Sequence, residues 1–214
     1  AARPPNYQTL NNSRYWLTGV NSPDQMLHAG VMPETPEAET PEAGLPGPRE
    51  AGTPYRICLV CLGNICRSPM AETVLRAELD AAGLDGKAVV DSAGTGDWHI
   101  GDRMDPDART ALAGRGYDGS AHRARQFQPT WLAGYDLILA MDARNLADLR
   151  RMALGQDVDR IRLFGEVGGL SGSDRGGRDI PDPWGGGPEE FGNVLDLLRT
   201  AAPVIAAQVA RLLV

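Results

Sequence analysis

The sequence predicts an α/β fold: a four-stranded parallel sheet with helices on both faces and a phosphate-binding loop directly after the first strand. Two observations carry this. From Tyr55 onward, short apolar runs of strand length alternate with longer stretches of helical periodicity, the pattern of βαβ units. The first apolar run, Ile57-Cys58-Leu59-Val60, leads straight into Cys61-Leu62-Gly63-Asn64-Ile65-Cys66-Arg67-Ser68 and then a helical pattern. In parallel sheets ligands bind at the carboxyl ends of strands, which is where this turn falls.

Taken in order, Arg56–Cys61 reads as a buried strand and Pro69–Ala82 as a helix closed by Gly83. Ala88–Asp91 is a second strand, and Pro106–Ala113 a helix ended by Gly114. Leu137–Ala140 is a third strand, followed by a helix over Ala143–Met152. Arg160–Phe164 is a fourth strand, and a loop rich in Gly and Asp runs from it to Gly187. The last helix covers Glu189–Leu213, with a kink expected at Pro203. Residues 54–214 thus read as one domain. Residues 1–53 differ: Pro33-Glu34-Thr35-Pro36-Glu37-Ala38-Glu39-Thr40-Pro41 is a Pro/Glu/Thr repeat that cannot bury a core. They read as a disordered N-terminal extension, an expression remnant or the product of a misplaced start codon, and they lack the layout of a secretory signal.

Composition narrows the partners. The chain of 214 residues has a formal net charge of -7, against a nucleic-acid binder with its basic face. No apolar run reaches the roughly 18 residues of a membrane helix. The three cysteines fall between Cys58 and Cys66, so a disulfide framework stapling distant loops is excluded and a reducing, cytoplasmic setting is expected.

The turn itself states a chemistry. Its inward N–H groups and the helix N-terminus suit an anion, whether a phosphate or the thiolate of Cys61. Arg67 offers a planar fork for two phosphate oxygens. Gly63 lets the backbone curve tightly, Asn64 holds the turn through side-chain hydrogen bonds, and Ser68 is placed to hydrogen-bond the sulfur. Leu62 and Ile65 are the apolar side chains of the cradle. Duller readings fare worse. A structural zinc on Cys58, Cys61 and Cys66 lacks a fourth ligand at suitable spacing. A redox pair of Cys58 and Cys61 would lie along a strand, with its side chains on opposite faces. A phosphate ester also needs a general acid from another loop. Asp182, stiffened by Pro181 and Pro183, is the candidate, against the alternative of a plain turn aspartate. Trp98 and Trp184, both in loops, are either core or rim residues or the walls of a slot for a flat aryl group.

Cys61 to Glu72 resembles the signature of the low-molecular-weight protein tyrosine phosphatases. Asp91-Ser92-Ala93-Gly94-Thr95, His122-Arg123-Ala124-Arg125-Gln126, Met141-Asp142-Ala143-Arg144-Asn145 and Asp182-Pro183-Trp184 resemble further family motifs in the family's order. With Lys87 the only lysine and Ala and Gly abundant, the chain looks like a bacterial member from a GC-rich genome. The resemblance implies a phosphocysteine enzyme for phosphotyrosine-containing proteins, a monomer or weak dimer, without metal or cofactor. In it Cys61 is the nucleophile, Arg67 the phosphate clamp and Asp182 the general acid and base. Leu62, Gly63, Asn64, Ile65, Cys66 and Ser68 form the cradle, and Trp98 and Trp184 flank the aryl ring, where the family more often has Tyr or Phe after Asp-Pro. Asn64, Ser68, Ser92 and His122 brace the cradle, and Arg125 and Asp142 match positions of structural character. Cys66 is placed to pair with Cys61 under peroxide. Three relatives of the reading stand beside it. Arginine phosphatases of this fold typically carry Thr where Ile65 stands. Arsenate reductases need later cysteines, and none follows Cys66. The third is an inactive phosphate-binding or scaffold protein.

Overall fold

The computed structural model describes residues 44–171 and 178–213; the Pro/Glu/Thr repeat and the rest of residues 1–43 lie outside them. Four parallel strands, β1 (Tyr55–Cys61), β2 (Ala88–Gly94), β3 (Leu137–Ala140) and β4 (Ile161–Leu163), form one sheet in the order β2-β1-β3-β4. Helices α1 (Arg67–Ala81), α2 (Pro106–Ala113), α3 (Ala143–Met152), α4 (Phe164–Val167) and α5 (Pro188–Leu213) complete it. The strand order reverses direction at β1, so the crevice of the sheet opens at the end of that strand.

Strand alternation builds two cores. Ile57, Leu59 and Cys61 of β1 and Leu137 and Leu139 of β3 join α1, α2 and α5 in one cluster. Cys58, Val60, Ile138 and Ala140 turn to the other face with Phe127, Tyr135 and Leu149 of α3. Cys58 and Cys61 therefore lie on opposite faces, as their spacing requires.

Several element boundaries differ from the sequence expectation by one to three residues. Helix α1 starts at Arg67, two residues before Pro69; Pro69 sits within the first turn, where its missing N–H has no intrahelical partner to lose. Strand β2 runs on to Gly94, because Ser92, Ala93 and Gly94, weak strand formers, pair with Leu59, Val60 and Cys61. Phe164 opens the one-turn helix α4 instead of ending β4. Helix α5, Pro188–Leu213, agrees with the expected span to within one residue and holds Pro203 inside it.

Residues 44–53, grouped above with the extension, are held on the domain. Tyr55 Oη donates to Pro46 O at 2.9 Å, and Arg160 Nη1 donates to Gly47 O at 2.9 Å. Arg49 donates from its backbone to Asp136 Oδ1 at 2.6 Å, from Nε to Tyr135 O at 2.7 Å, and pairs with Asp157 at 2.9 Å. Leu45 packs on the main core. These anchors are one apolar side chain, one arginine and carbonyl groups, which leave no periodicity to read in a Pro- and Gly-rich stretch.

Candidate active site

The chain leaves β1 at Cys61, turns through residues 62–66 and enters α1. The left-handed residue of the turn is Asn64, at φ 56°, not Gly63. Gly63 serves another need: a Cβ there would stand 3.1 Å from His99 Cδ2. Gly94, at the end of β2, is tighter still, since a Cβ would come 2.7 Å from Leu62 O. The strand can pass under the turn only without a side chain.

Asn64 accepts its strained backbone because every polar group on it is used. Its amide nitrogen donates to Ser68 Oγ and to Ser92 Oγ, both at 2.9 Å. Its Oδ1 accepts the Arg125 N–H at 2.9 Å, and its carbonyl accepts His122 Nε2–H at 2.7 Å. Ser92 in turn donates to Glu72 Oε2 at 2.6 Å. Asn64, Ser68 and Ser92 are buried. Asn64, Ser68, Ser92 and His122, grouped in the sequence through the resemblance, are joined by these bonds. Glu72 lay inside the quoted signature without a role, and its position one turn into α1, facing β2, is what brings it to Ser92.

Around the sulfur, Asn64 N–H donates to Cys61 Sγ at 3.2 Å and Ser68 Oγ lies 3.0 Å away. Ser68 Oγ is also 3.2 Å from Ala93 O. A hydroxyl has one proton, so it donates either to Ala93 O or to a thiolate at Cys61. Among the described residues the N–H groups of Gly63, Ile65, Cys66 and Arg67 donate to no protein acceptor, leaving a set of unspent donors beside Cys61. Cys66 opens α1 and is buried. Burial, with Asp105, Cys61 and Asp182 adding, pushes its thiol well above the ordinary range.

Arg67 is almost wholly buried and joins three segments. Nη1 donates to Asp142 Oδ2 at 2.6 Å and to Ile180 O at 3.2 Å, while Nη2 donates to Asp182 Oδ2 at 2.6 Å. Burial works against its charge, but Cys61, Asp142 and Asp182 outweigh burial and raise its pKa above the ordinary value. Asp142, which the sequence left as structural, also caps α3 through Asn145 N–H at 2.7 Å, so one carboxylate fixes both helix start and guanidinium. Asp182 accepts Trp184 N–H at 3.2 Å on its other oxygen.

These groups border a cleft of about 230 Å³, lined by Cys61, Leu62, Gly63, Ile65, Cys66 and Arg67 from the turn and by Trp98, His99, Asp182 and Trp184 from two loops. Trp98 is 62% and Trp184 69% exposed, so both stand as rims and neither as core. His99, unassigned in the sequence, lines the cleft and hydrogen-bonds Asp102 at 2.9 Å. Only its adjacency to Trp98 signalled this.

The sequence profile described as low molecular weight phosphotyrosine protein phosphatase matches residues 56–213. The chain belongs to that family. The low molecular weight protein-tyrosine-phosphatase of Streptomyces coelicolor is 45% identical over 157 residues, 72% of this chain and 93% of that protein. The crystal structure of YfkJ from Bacillus subtilis matches with a TM-score of 0.68 at 36% identity, covering 76% of this chain and 98% of that one. Wzb of Vibrio vulnificus, solved in complex with benzylphosphonate, matches with a TM-score of 0.61 at 30% identity over 72% of this chain and 97% of that one. Low-molecular-weight phosphatases are hydrolases, and the bacterial relatives confirm the α/β fold. Among the described residues no helix is long and apolar enough to cross a membrane.

Proposed function

We propose that this phosphatase hydrolyses phosphotyrosine in proteins through a phosphocysteine formed on Cys61. The observation that carries the reading is one convergence. A thiol that accepts an N–H, a buried guanidinium and a carboxylate on that guanidinium's outer arm meet at the end of β1. The Cys61 thiolate attacks phosphorus, forming S–P as the bond to the tyrosine oxygen breaks. Arg67 and the unspent turn amides hold the equatorial oxygens. Asp182 gives its proton to the leaving oxygen. Water then attacks phosphorus, Asp182 takes a proton from it, and S–P breaks as Ser68 donates to the departing thiolate. A phosphoryl group entering the turn competes with Asp182 for Arg67 Nη2, which ties substrate arrival to release of the acid.

The aryl preference rests on Trp98 and Trp184, two rings at the cleft mouth, and on apolar Ile65 and Leu62 at its wall. Benzylphosphonate, held by a relative, joins the same two features: a flat ring and a tetrahedral dianion. Because Cys61 must stay a thiol, the reading sets the protein in a reducing compartment such as the cytoplasm. The test is hydrolysis of p-nitrophenyl phosphate and a phosphotyrosine peptide by the full chain and by Cys61→Ser. Turnover insensitive to chelator in the natural chain and abolished in a Cys61→Ser variant of unchanged melting temperature is expected. Hydrolysis by Cys61→Ser at the natural rate overturns the scheme.

A further inference from the structure

Next to the cleft the surface continues into a second groove of about 470 Å³, whose lining includes Leu62, Thr95, Trp98, Arg144, Asp148 and Arg151. Leu62 and Trp98 belong to both cavities, so they form the ridge between them. The groove's charges are unequal. Arg151 is paired with Asp148 within α3. Arg144, in the first turn of the same helix, is exposed and makes no hydrogen bond or ion pair with any described residue. A chain of net charge -7 thus holds, beside the proposed phosphate site, a guanidinium unpaired among the described residues, two residues beyond the Asp142 that holds Arg67.

We propose that this groove takes the polypeptide flanking the phosphotyrosine, and that Arg144 selects substrates with an Asp or Glu close to it in sequence. The proposal rests on the phosphotyrosine reading above. A tyrosine side chain inserted in the cleft leaves its backbone at the rim, and Trp98 is the rim shared with the groove. An extended chain advances about 3.3–3.6 Å per residue, so the first few neighbours of the phosphotyrosine meet the groove. With Asp148 already occupied by Arg151, Arg144 is the positive charge of the groove's lining that has no partner among the described residues. A carboxylate matches a guanidinium fork in shape as well as charge, whereas a Lys or Arg on the substrate is repelled.

The test measures kcat/KM for phosphotyrosine peptides carrying Glu, Gln or Lys at each of the three positions on either side, with p-nitrophenyl phosphate as reference. The enzymes are the natural full chain, Arg144→Gln and Arg144→Glu. The natural chain should prefer Glu over Gln at one or two adjacent positions by roughly two- to fivefold, the size of an exposed ion pair. Added salt should shrink this preference. Arg144→Gln should lose it and Arg144→Glu should turn it toward Lys, while p-nitrophenyl phosphate turnover stays unchanged in both. Equal discrimination in all three enzymes, or none in the natural chain while it hydrolyses p-nitrophenyl phosphate, overturns the role of Arg144. Failure of the natural chain on every aryl phosphate instead strikes the phosphatase reading itself.

Discussion

The turn that carries Cys61 and the loop that carries Asp182 end on the same guanidinium, yet the chain holds them differently. In the turn, Asn64 and Ser68 are buried, and the Asn64 side chain and carbonyl together make four hydrogen bonds to Ser68, Ser92, His122 and Arg125. In the loop, the Asp182 side chain is 45% exposed and Trp184 is more exposed still. Ile180 anchors that loop: fully buried, it donates to Met141 O at 2.7 Å and accepts from Arg67. On the proposed mechanism, the difference follows from the chemistry each part is asked to do. A nucleophile and its charge-stabilising donors gain by being fixed before the reaction. An acid that shares Arg67 with the incoming phosphate must give way and then return, which a loop with few buried contacts permits.

If that division is right, the two parts fail in different ways. Asp182→Asn should lower kcat on a phosphotyrosine peptide by about 10²–10⁴-fold while moving stability by no more than about 1 kcal/mol. The loss should be smaller with p-nitrophenyl phosphate, whose leaving group needs less protonation. Matching losses on both substrates, or a large drop in melting temperature, would break the comparison.

Asn64→Ala is the converse. It leaves the left-handed φ unsupported and strips partners from Ser68, Ser92 and the Arg125 N–H, costing about 2–4 kcal/mol. Activity should fall with it by roughly 10–100-fold, because the same bonds shape the donors around Cys61. Asn64→Gly relieves the backbone but not the lost bonds, so denaturant unfolding should place it between the two. A variant as stable as the natural chain would show that the turn is held from elsewhere.

The same division decided what was legible beforehand. The turn announces itself in eight consecutive residues, since its function is local: a strand end, a nucleophile, a fork and a helix start. Asn64 was readable as the brace, but its left-handed φ was not, because Gly63 beside it is the residue that ordinarily takes that conformation. Long-range pairings were invisible: Asp142 on Arg67, Glu72 on Ser92 and Arg49 on Asp136 join residues up to 87 positions apart. Weak strand formers hid the end of β2, where small side chains are needed because Leu62 O passes within contact of Gly94. His99 at the cleft wall had only its place beside Trp98 to mark it.

A smaller effect tests the exposed rims. Trp184→Ala removes one ring from the cleft mouth. Stacking against an aryl group is worth about 1 kcal/mol, so KM for a phosphotyrosine peptide should rise about fivefold, with kcat and melting temperature unchanged. An equal rise with a small alkyl phosphate would show that Trp184 acts on loop position and not on the ring.

The smallest effect lies behind the turn and depends on pH. Burial, the largest influence, holds His122 below the ordinary imidazole range, although Asn64 O and Glu72 pull the other way. Its Nε2–H donates to a carbonyl that can only accept, so the neutral ring already makes the bond that braces Asn64. The folded value lies below the unfolded one, near 6.5. The contribution of His122 is therefore fully present above about pH 6.5 and is lost as pH falls from there toward the folded value, where the unfolded chain binds a proton that the folded chain refuses. His122→Gln keeps a donor for Asn64 O and removes the titration. Its melting temperature should fall less steeply than that of the natural chain between pH 6.5 and 5.5, and parallel slopes would show that His122 does not carry the acid sensitivity.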